Sequence, residues 1–360
     1  MKLTKPQQRA LEHMVNYAKD YETEANAVIK QVLYMSNIKE DEFHESMAKL
    51  KRHARIALHF HPDRPDQSMK SVAEALFEQG YYKNQFETYL SNGKLAPDSG
   101  GDRDLWEQRL FGGAYQMEGT PGSLRPKYGA LNLMRHPDGP APRFGSCYFL
   151  LSPKVSFRST FTYLDSHQEP KERGTYEAFH MIAAALLEET ITREFAIGEN
   201  NLTPTRLIHH LLYDLEKPFD SPANKTANRN LNHYIEAQVH GDLSLKDDVE
   251  TLVADPSFKG SPVGQILEQL CLKYSIDLYW HMGFALALED VPANFRGPAM
   301  PSLAKRIATK DYIDTSTIGT AVMNLKSDPS SWRDRGTYDE ALQQLKMLWH
   351  VLVKYGQPLK

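Results

Sequence analysis

Asn232-His-Tyr-Ile-Glu-Ala-Gln-Val-His-Gly-Asp242 is the stretch whose reading decides the fold. Ile235, Ala237 and Val239 alternate with Tyr234, Glu236, Gln238 and His240, the period-two pattern of a strand with one apolar face. On such a strand Glu236 and Gln238 share a face, about 7 Å apart along the chain. Gly241 breaks the run, and Leu243-Ser-Leu245 opens another element. A carboxylate in mid-strand beside an amide, backed by an apolar face, points to a site on a rigid sheet. The same letters also describe an exposed edge strand with its polar residues in solvent.

Around that stretch lie 360 residues, enough for two or three compact lobes with real cores. With 41% hydrophobic and 24% charged residues the composition is that of a soluble globular protein, and a net charge of -4 predicts neither nucleic acid nor an anionic membrane as partner. Cys147 and Cys271 are too few for a disulfide framework or a Cys-rich zinc site. The 14 histidines would permit a His/carboxylate metal site, but no His-Glu-x-x-His or comparable spacing occurs, so no metal is predicted. No apolar run reaches membrane-spanning length, and Met1-Lys-Leu-Thr4 leads into a helix signal rather than a signal peptide. The expectation is a soluble cytoplasmic protein that leaves its cell, if at all, by a non-classical route.

Upstream, three amphipathic runs predict helices: Thr4 and Gln7 form a capping-box pattern before Ala10, Leu11, Met14, Val15 and Ala18, a second run spans Ala25–Leu33, and a third carries Phe43, Met47 and Leu50. Ile56, Leu58 and Phe60 alternate with Ala57, His59 and His61, a short strand stopped by Pro62, although a helix continuing from Leu50 is also tenable. Ser71–Gln79 reads as a helix ended by Gly80. Short strands are predicted at Tyr128–Met134, Ser146–Leu151 and Val155–Thr162, helices over 175–190 and 203–215, and a polar loop at Pro218–Asn230. After Pro256 the pattern is mostly helical, closing on a helix with a Thr337/Glu340 capping box, a Leu342, Leu345, Leu348, Trp349, Leu352 stripe and Gly356 at its end.

The Glu236 stretch, with Leu245-Lys-Asp-Asp-Val249 after it, resembles the closing strands of bacterial toxin-type mono-ADP-ribosyltransferases, where a Tyr-x-Glu-Ala-Gln-x-His-Gly run carries the catalytic glutamate. After about residue 50 the chain is also similar to a bacterial family catalogued as a domain of unknown function. That similarity is carried by His59-Phe-His-Pro-Asp-Arg64, Gln85-Phe-Glu-Thr88 with Ser91-Asn-Gly93, Gly100-Gly-Asp-Arg103 with Leu110–Tyr115, Arg125–Leu131, Arg143–Ser146, Arg158–Thr162 with Asp165-Ser166, and Trp280–Phe284 with Phe295-Arg-Gly297. The resemblance implies an α+β fold: a split antiparallel ADP-ribosyltransferase-like sheet in a core over 55–255 with a helical insertion at 168–230, between helical lobes at 1–54 and 256–360. It implies transfer of ADP-ribose from NAD, as substrate, to a protein side chain, with arginine as the hypothesised acceptor. It further implies a secreted effector acting on a host metabolic enzyme such as glutamate dehydrogenase, delivered by a specialised secretion system.

Matched residue by residue, the resemblance places Arg64, with His59 and His61 nearby, on the NAD phosphates, Thr88 and Ser91 in the Ser/Thr element, and Glu236 as catalytic glutamate with Gln238 orienting the acceptor. No Arg-Gly pair stands at the first strand and no Ser-Thr-Ser at the second, and the usual glutamate pair is here Glu236-Ala-Gln238, which leaves the target residue open. Arg125 with Ser159-Thr160 also precedes Glu236 in order; Arg296 would require a permuted chain. Arg64 ranks first, Arg125 second. Tyr128 and Phe161 read as core, and His281 and Arg296 carry no assigned chemistry. The chemistry suits these types: cleaving the bond between nicotinamide and ribose builds an oxocarbenium ion, which a fixed carboxylate stabilises, and an arginine fork grips a pyrophosphate. No Gly-x-Gly-x-x-Gly follows a strand, so a Rossmann site is not implied.

His61-Pro62-Asp63 after the basic Lys49–His59 run also resembles J-domain co-chaperones, in which that tripeptide triggers a partner's ATPase. A catalytically inactive binding module is the third alternative.

Overall fold

The computed structural model describes residues 2–89, 98–219 and 227–359. The elements run α1 (Lys5–Asp20), α2 (Glu22–Met35), α3 (Glu40–His53), β1 (Ile56–Phe60), α4 (Val72–Gln79), α5 (Gln85–Thr88), α6 (Asp102–Leu110), β2 (Lys127–Leu131), β3 (Cys147–Leu151), β4 (Ser159–Tyr163) and β5 (Arg173–Thr175). Then follow α7 (His180–Arg193), β6 (Phe195–Ala196), β7 (Glu199–Asn200), α8 (Pro204–Tyr213), β8 (Ile235–Val239), α9 (Leu245–Asp248), β9 (Val249–Ala254), α10 (Pro262–Tyr274) and β10 (Asp277–Trp280). The last are β11 (Ala285–Ala287), α11 (Met300–Ile307), β12 (Tyr312–Asp314), α12 (Thr315–Ser327) and α13 (Tyr338–Tyr355). The fold is α+β. Among the described residues no helix is long and apolar enough to cross a membrane.

The capping signals hold at atomic level. Thr4 N–H donates to Gln7 Oε1 at 3.0 Å, Ser71 N–H to Glu74 Oε2 at 2.7 Å and Thr337 N–H to Glu340 Oε2 at 2.8 Å, each satisfying an otherwise orphaned donor. Gly80 ends α4 in the left-handed region at φ 70°.

Eight strands form one sheet in the order β10-β9-β3-β1-β2-β8-β4-β5, antiparallel except where β10 pairs with β9. The sheet is continuous rather than split, because β1 bonds both β2 and β3 and so joins the two halves. β8 lies between β2 and β4 and is buried along its length, so it is not an exposed edge. Strand alternation then sorts the two faces. Ile56, Leu58, Phe60, Phe149, Phe161, Ile235, Ala237 and Val239 enter one large core with the apolar stripes of α2, α3, α7 and α8. His59, Tyr128, Glu236, Gln238 and Thr160 occupy the other face. A second core, built from Phe284, Leu303, Ile318, Trp332, Leu345, Leu348, Trp349 and Leu352, holds α11, α12 and α13 together. It docks on the polar face through Trp349, whose Nε1–H donates to Pro142 O at 3.0 Å and whose ring meets His61 edge-on at 5.0 Å.

The strand expected to run to Met134 ends at Leu131, and two other boundaries differ from the sequence reading for a visible reason. The helix expected from 175 starts at His180, because Arg173–Thr175 instead pairs with β4; Thr175 Oγ1 then accepts from the N–H groups of Glu177 and Ala178, and the bare Gly174 leaves room for the Ala178 carbonyl. The strand expected from Val155 starts at Ser159. Pro153 opens a 3₁₀ turn over Pro153–Arg158, and Ser159 Oγ closes it onto Val155 O at 2.9 Å.

Candidate active site

The polar face of the sheet floors a cleft of about 810 Å³. His59, Tyr128 and Glu236 reach it from the strands, His61 and Arg64 from the turn after β1, Thr88 from α5, and Gln343, Met347 and His350 from one face of α13. Five residues singled out by sequence, His59, His61, Arg64, Thr88 and Glu236, therefore share one cavity. Ser91 lies outside the described residues. Thr88 sits in the turn capped by Asn84, its hydroxyl donating to Asn84 O at 3.2 Å.

Glu236 is 5% exposed and accepts hydrogen bonds from the Ser166 hydroxyl, from Ser166 N–H at 3.4 Å and from Gln238 Nε2 at 2.9 Å. Burial, reinforced by the neighbouring Asp165, pushes its carboxyl up to about 8, against the pull of those donors. Gln238 is fully buried and does not line the cleft; next to it on this face, Phe111 meets His240 edge-on and Tyr115 stacks on it. It supports the glutamate instead of facing an acceptor.

Behind Gln238 runs a hydrogen-bond chain whose direction is fixed by proton counting. Thr160 spends its one hydroxyl proton on Gln238 Oε1 at 2.7 Å, so it accepts from His240 Nε2–H at 3.2 Å. His240 Nδ1 then accepts the Tyr115 hydroxyl at 2.5 Å. Burial, with Lys127 and Arg158 nearby, depresses His240 to about 3, consistent with this neutral form. Every donor points toward Glu236. Such aligned chains polarise one another and favour negative charge at their end.

The opposite end of the cleft is cationic. Arg64 Nη1 is buried without a hydrogen-bond partner, and so is His350 Nδ1. Burial and the Arg64 charge push Lys346 down to about 8; burial, with Arg296 and Arg143 nearby, takes His350 down to about 3. Asp63 is the acid of this end, pushed up to about 6 by burial despite Arg64 beside it, and its carboxylate fills the space a Cβ on Gly319 would need.

The remaining candidates separate clearly. His59 lines the cleft, but its Nδ1 donates to Gly145 O at 2.9 Å and its Nε2 accepts from Ala141 N–H at 3.3 Å, so it fixes the turn before β3. Arg125 is withdrawn into buried ion pairs with Asp104 and, at 2.9 Å, Glu107. Ser159 and Thr160 are buried in β4. Arg296 lies over Phe295 and does not line the cavity. His281 is locked between Ser146 O and Gly283 N–H, both at 2.9 Å. Phe161 is core, whereas Tyr128 opens into the cleft. His61-Pro62-Asp63 is covered by α12 and α13 and does not present itself on a surface, as a co-chaperone would need.

Residues 55–355 match a family described as "Protein of unknown function (DUF3626)". The chain belongs to that family. No curated protein matches it. The DUF3626 region begins one residue before β1 and ends with α13, so it contains both ends of the cleft and leaves out α1–α3. Sequence reasoning missed Asp165, Arg143 and His350 as cleft residues. Asp165 and Arg143 stood in stretches that carried the resemblance, and Gln343, Met347 and His350 follow helical spacing on one face of α13.

Proposed function

We propose that this cleft binds NAD and that the protein is a mono-ADP-ribosyltransferase. The observation that carries the reading is the placement of one anchored glutamate and one cationic cluster at two ends of a single cavity. Glu236 answers the positive charge that grows on the ribose as nicotinamide leaves. Its carboxyl, pushed up to about 8 by burial, loses its proton more readily once the cationic nicotinamide ring lies beside it. Arg64, with Arg143 and Lys346 adding to the field, is suited to the pyrophosphate, because a guanidinium fork matches its oxygens and an anion offsets the burial of the charge. Tyr128 and Trp106 offer aromatic surface near the glutamate for a base.

The acceptor in this reading is a protein side chain on a metabolic enzyme of a host cell, glutamate dehydrogenase being the example the resemblance implies. Incubating a lysate with labelled NAD and either the wild type or Glu236→Gln tests it: mass spectrometry should find a labelled protein with the first alone. Hydrolysis of NAD by the wild type, lost in Glu236→Gln, separates an enzyme from an inactive binding module. Equal labelling by both proteins would end the proposal.

A further inference from the structure

Glu236 shares its end of the cleft with a second guanidinium. Arg103 lines the cavity from α6, is 7% exposed, and has its Nε buried without a hydrogen-bond partner. Three residues on, Trp106 lines the same wall, and its Nε1–H is likewise buried and unpaired. Buried donors are ordinarily paired, and a buried charge more strictly still, so two unpaired donors on neighbouring side chains point to an acceptor from outside the chain. Resting on the transferase reading above, we infer that these donors hold a carboxylate on the pyridine ring of the dinucleotide, so that the cleft takes nicotinic acid adenine dinucleotide in preference to NAD.

Among the described residues no ion pair reaches Arg103, because the two buried acids of α6 are engaged elsewhere. Glu107 accepts from Arg125 Nη1 at 2.9 Å and from the Tyr128 hydroxyl at 2.8 Å. Asp104 accepts from Gly100 N–H and Gln116 Nε2, both at 2.8 Å, and from Arg125. What Arg103 has instead is aromatic: its guanidinium carbon lies 4.7 Å from the Trp106 ring centre and 5.5 Å from that of Tyr128. Those faces attract a cation but supply no hydrogen-bond acceptor along the N–H directions. The same wall is tied to the glutamate. Trp106 stacks on His167 at 5.9 Å, next to the Ser166 that bonds Glu236. Tyr128 pairs with Gln238 across the β2–β8 ladder, which sets it diagonal to Glu236, about 7–8 Å away. A pyridine ring along Tyr128, with its ribose at Glu236, brings its substituent to Arg103 and Trp106.

Donors alone select that substituent. A carboxamide offers one oxygen but also turns N–H groups toward the guanidinium, and the nicotinamide ring is itself a cation approaching another. A carboxylate accepts at both oxygens, one from Arg103 and one from Trp106, and leaves the pyridinium ring neutral overall. The contact then strengthens during the reaction. The bond between ribose C1′ and the ring nitrogen breaks, its electron pair stays with the ring, and nicotinate departs as an anion that Arg103 holds. Water that bonds to C1′ and releases one proton gives ADP-ribose; an acceptor side chain in place of water gives the transfer product.

The test supplies the full chain with NAD or with nicotinic acid adenine dinucleotide and follows nicotinamide or nicotinate release by chromatography. The kcat/KM should favour the deamidated dinucleotide on the order of 10-fold. Arg103→Gln should lower that ratio on the order of 100-fold, and Trp106→Phe, which keeps a ring but not the N–H, should lower it by a smaller factor. A wild type that cleaves NAD as well or better, or a ratio that neither substitution moves, overturns the inference and leaves the NAD reading standing. Cleavage of neither dinucleotide removes both.

Discussion

The two ends of the cleft differ in how their polar groups are satisfied. At the acid end Glu236 is held by Ser166 and Gln238, and Gln238 in turn by Thr160, His240 and Tyr115. At the cationic end Arg64 Nη1 and His350 Nδ1 are buried with no partner, and beside Tyr128 so are Arg103 Nε and Trp106 Nε1, whereas the Glu236 carboxylate itself is fully anchored. Buried polar groups are almost always paired, and each exception asks for a reason. The carboxylate is held in advance, whereas the Arg64 donor is left open, as the proposed contact with a phosphate would require. This is the division expected where a reacting centre must be rigid and a substrate's charged tail supplies the binding energy.

The sharpest way to break that comparison is at Glu236. Glu236→Gln should lower NAD cleavage by roughly 100- to 1000-fold with little change in circular dichroism, because the amide retains oxygen for Ser166. A residual rate close to wild type would move the chemistry elsewhere. At the other end, Arg64→Ala should raise the KM for NAD more than it lowers kcat, by roughly 10-fold or more, and Arg64→Lys should not restore it. A loss confined to kcat would show that the arginine does not serve as a clamp.

Thr160→Val cuts the chain behind Gln238 and leaves a buried amide oxygen unpaired, a cost of about 1–3 kcal/mol measured by denaturant unfolding. Tyr115→Phe is the gentler version. It should raise the pH at which Glu236 titrates, read by carbon-labelled glutamate NMR with Glu236→Gln to assign the signal. No movement in either variant would show that the aligned donors do not act on the carboxylate.

The smallest effect is on stability. The Glu236 carboxyl rises from 4.5 to about 8 on folding, so the folded state binds this proton more tightly than the unfolded chain. The resulting contribution is fully present below about 4.5 and disappears as pH rises through about 8. The melting temperature of the wild type should therefore fall relative to Glu236→Gln across that window; parallel curves would contradict the raised value.

The acid end was legible in the sequence because strand alternation is local. Ile235, Ala237 and Val239 had to enter the core, so Glu236 had to face away. The same rule placed Gln238 on that face but says nothing of depth, and the Phe111 and Tyr115 rings next to it come from a distant segment. Arg125 misled for a related reason: Asp104 and Glu107 lie on one turn of α6, and only the folded chain brings them to it. Capping boxes located α1, α4 and α13, but nothing short-range tells that α13 brings Lys346 to Arg64 and His350 to Arg143.

That last meeting has a consequence for synthesis. A ribosome delivers the glutamate strand well before α13, so a growing chain holds Glu236 while one wall of the cleft is still unmade. On the proposed reading, catalysis would switch on only when the second core closes over Trp349, and a cut between β12 and α13 would leave the acid and Arg64 in place without the α13 face that walls the cleft.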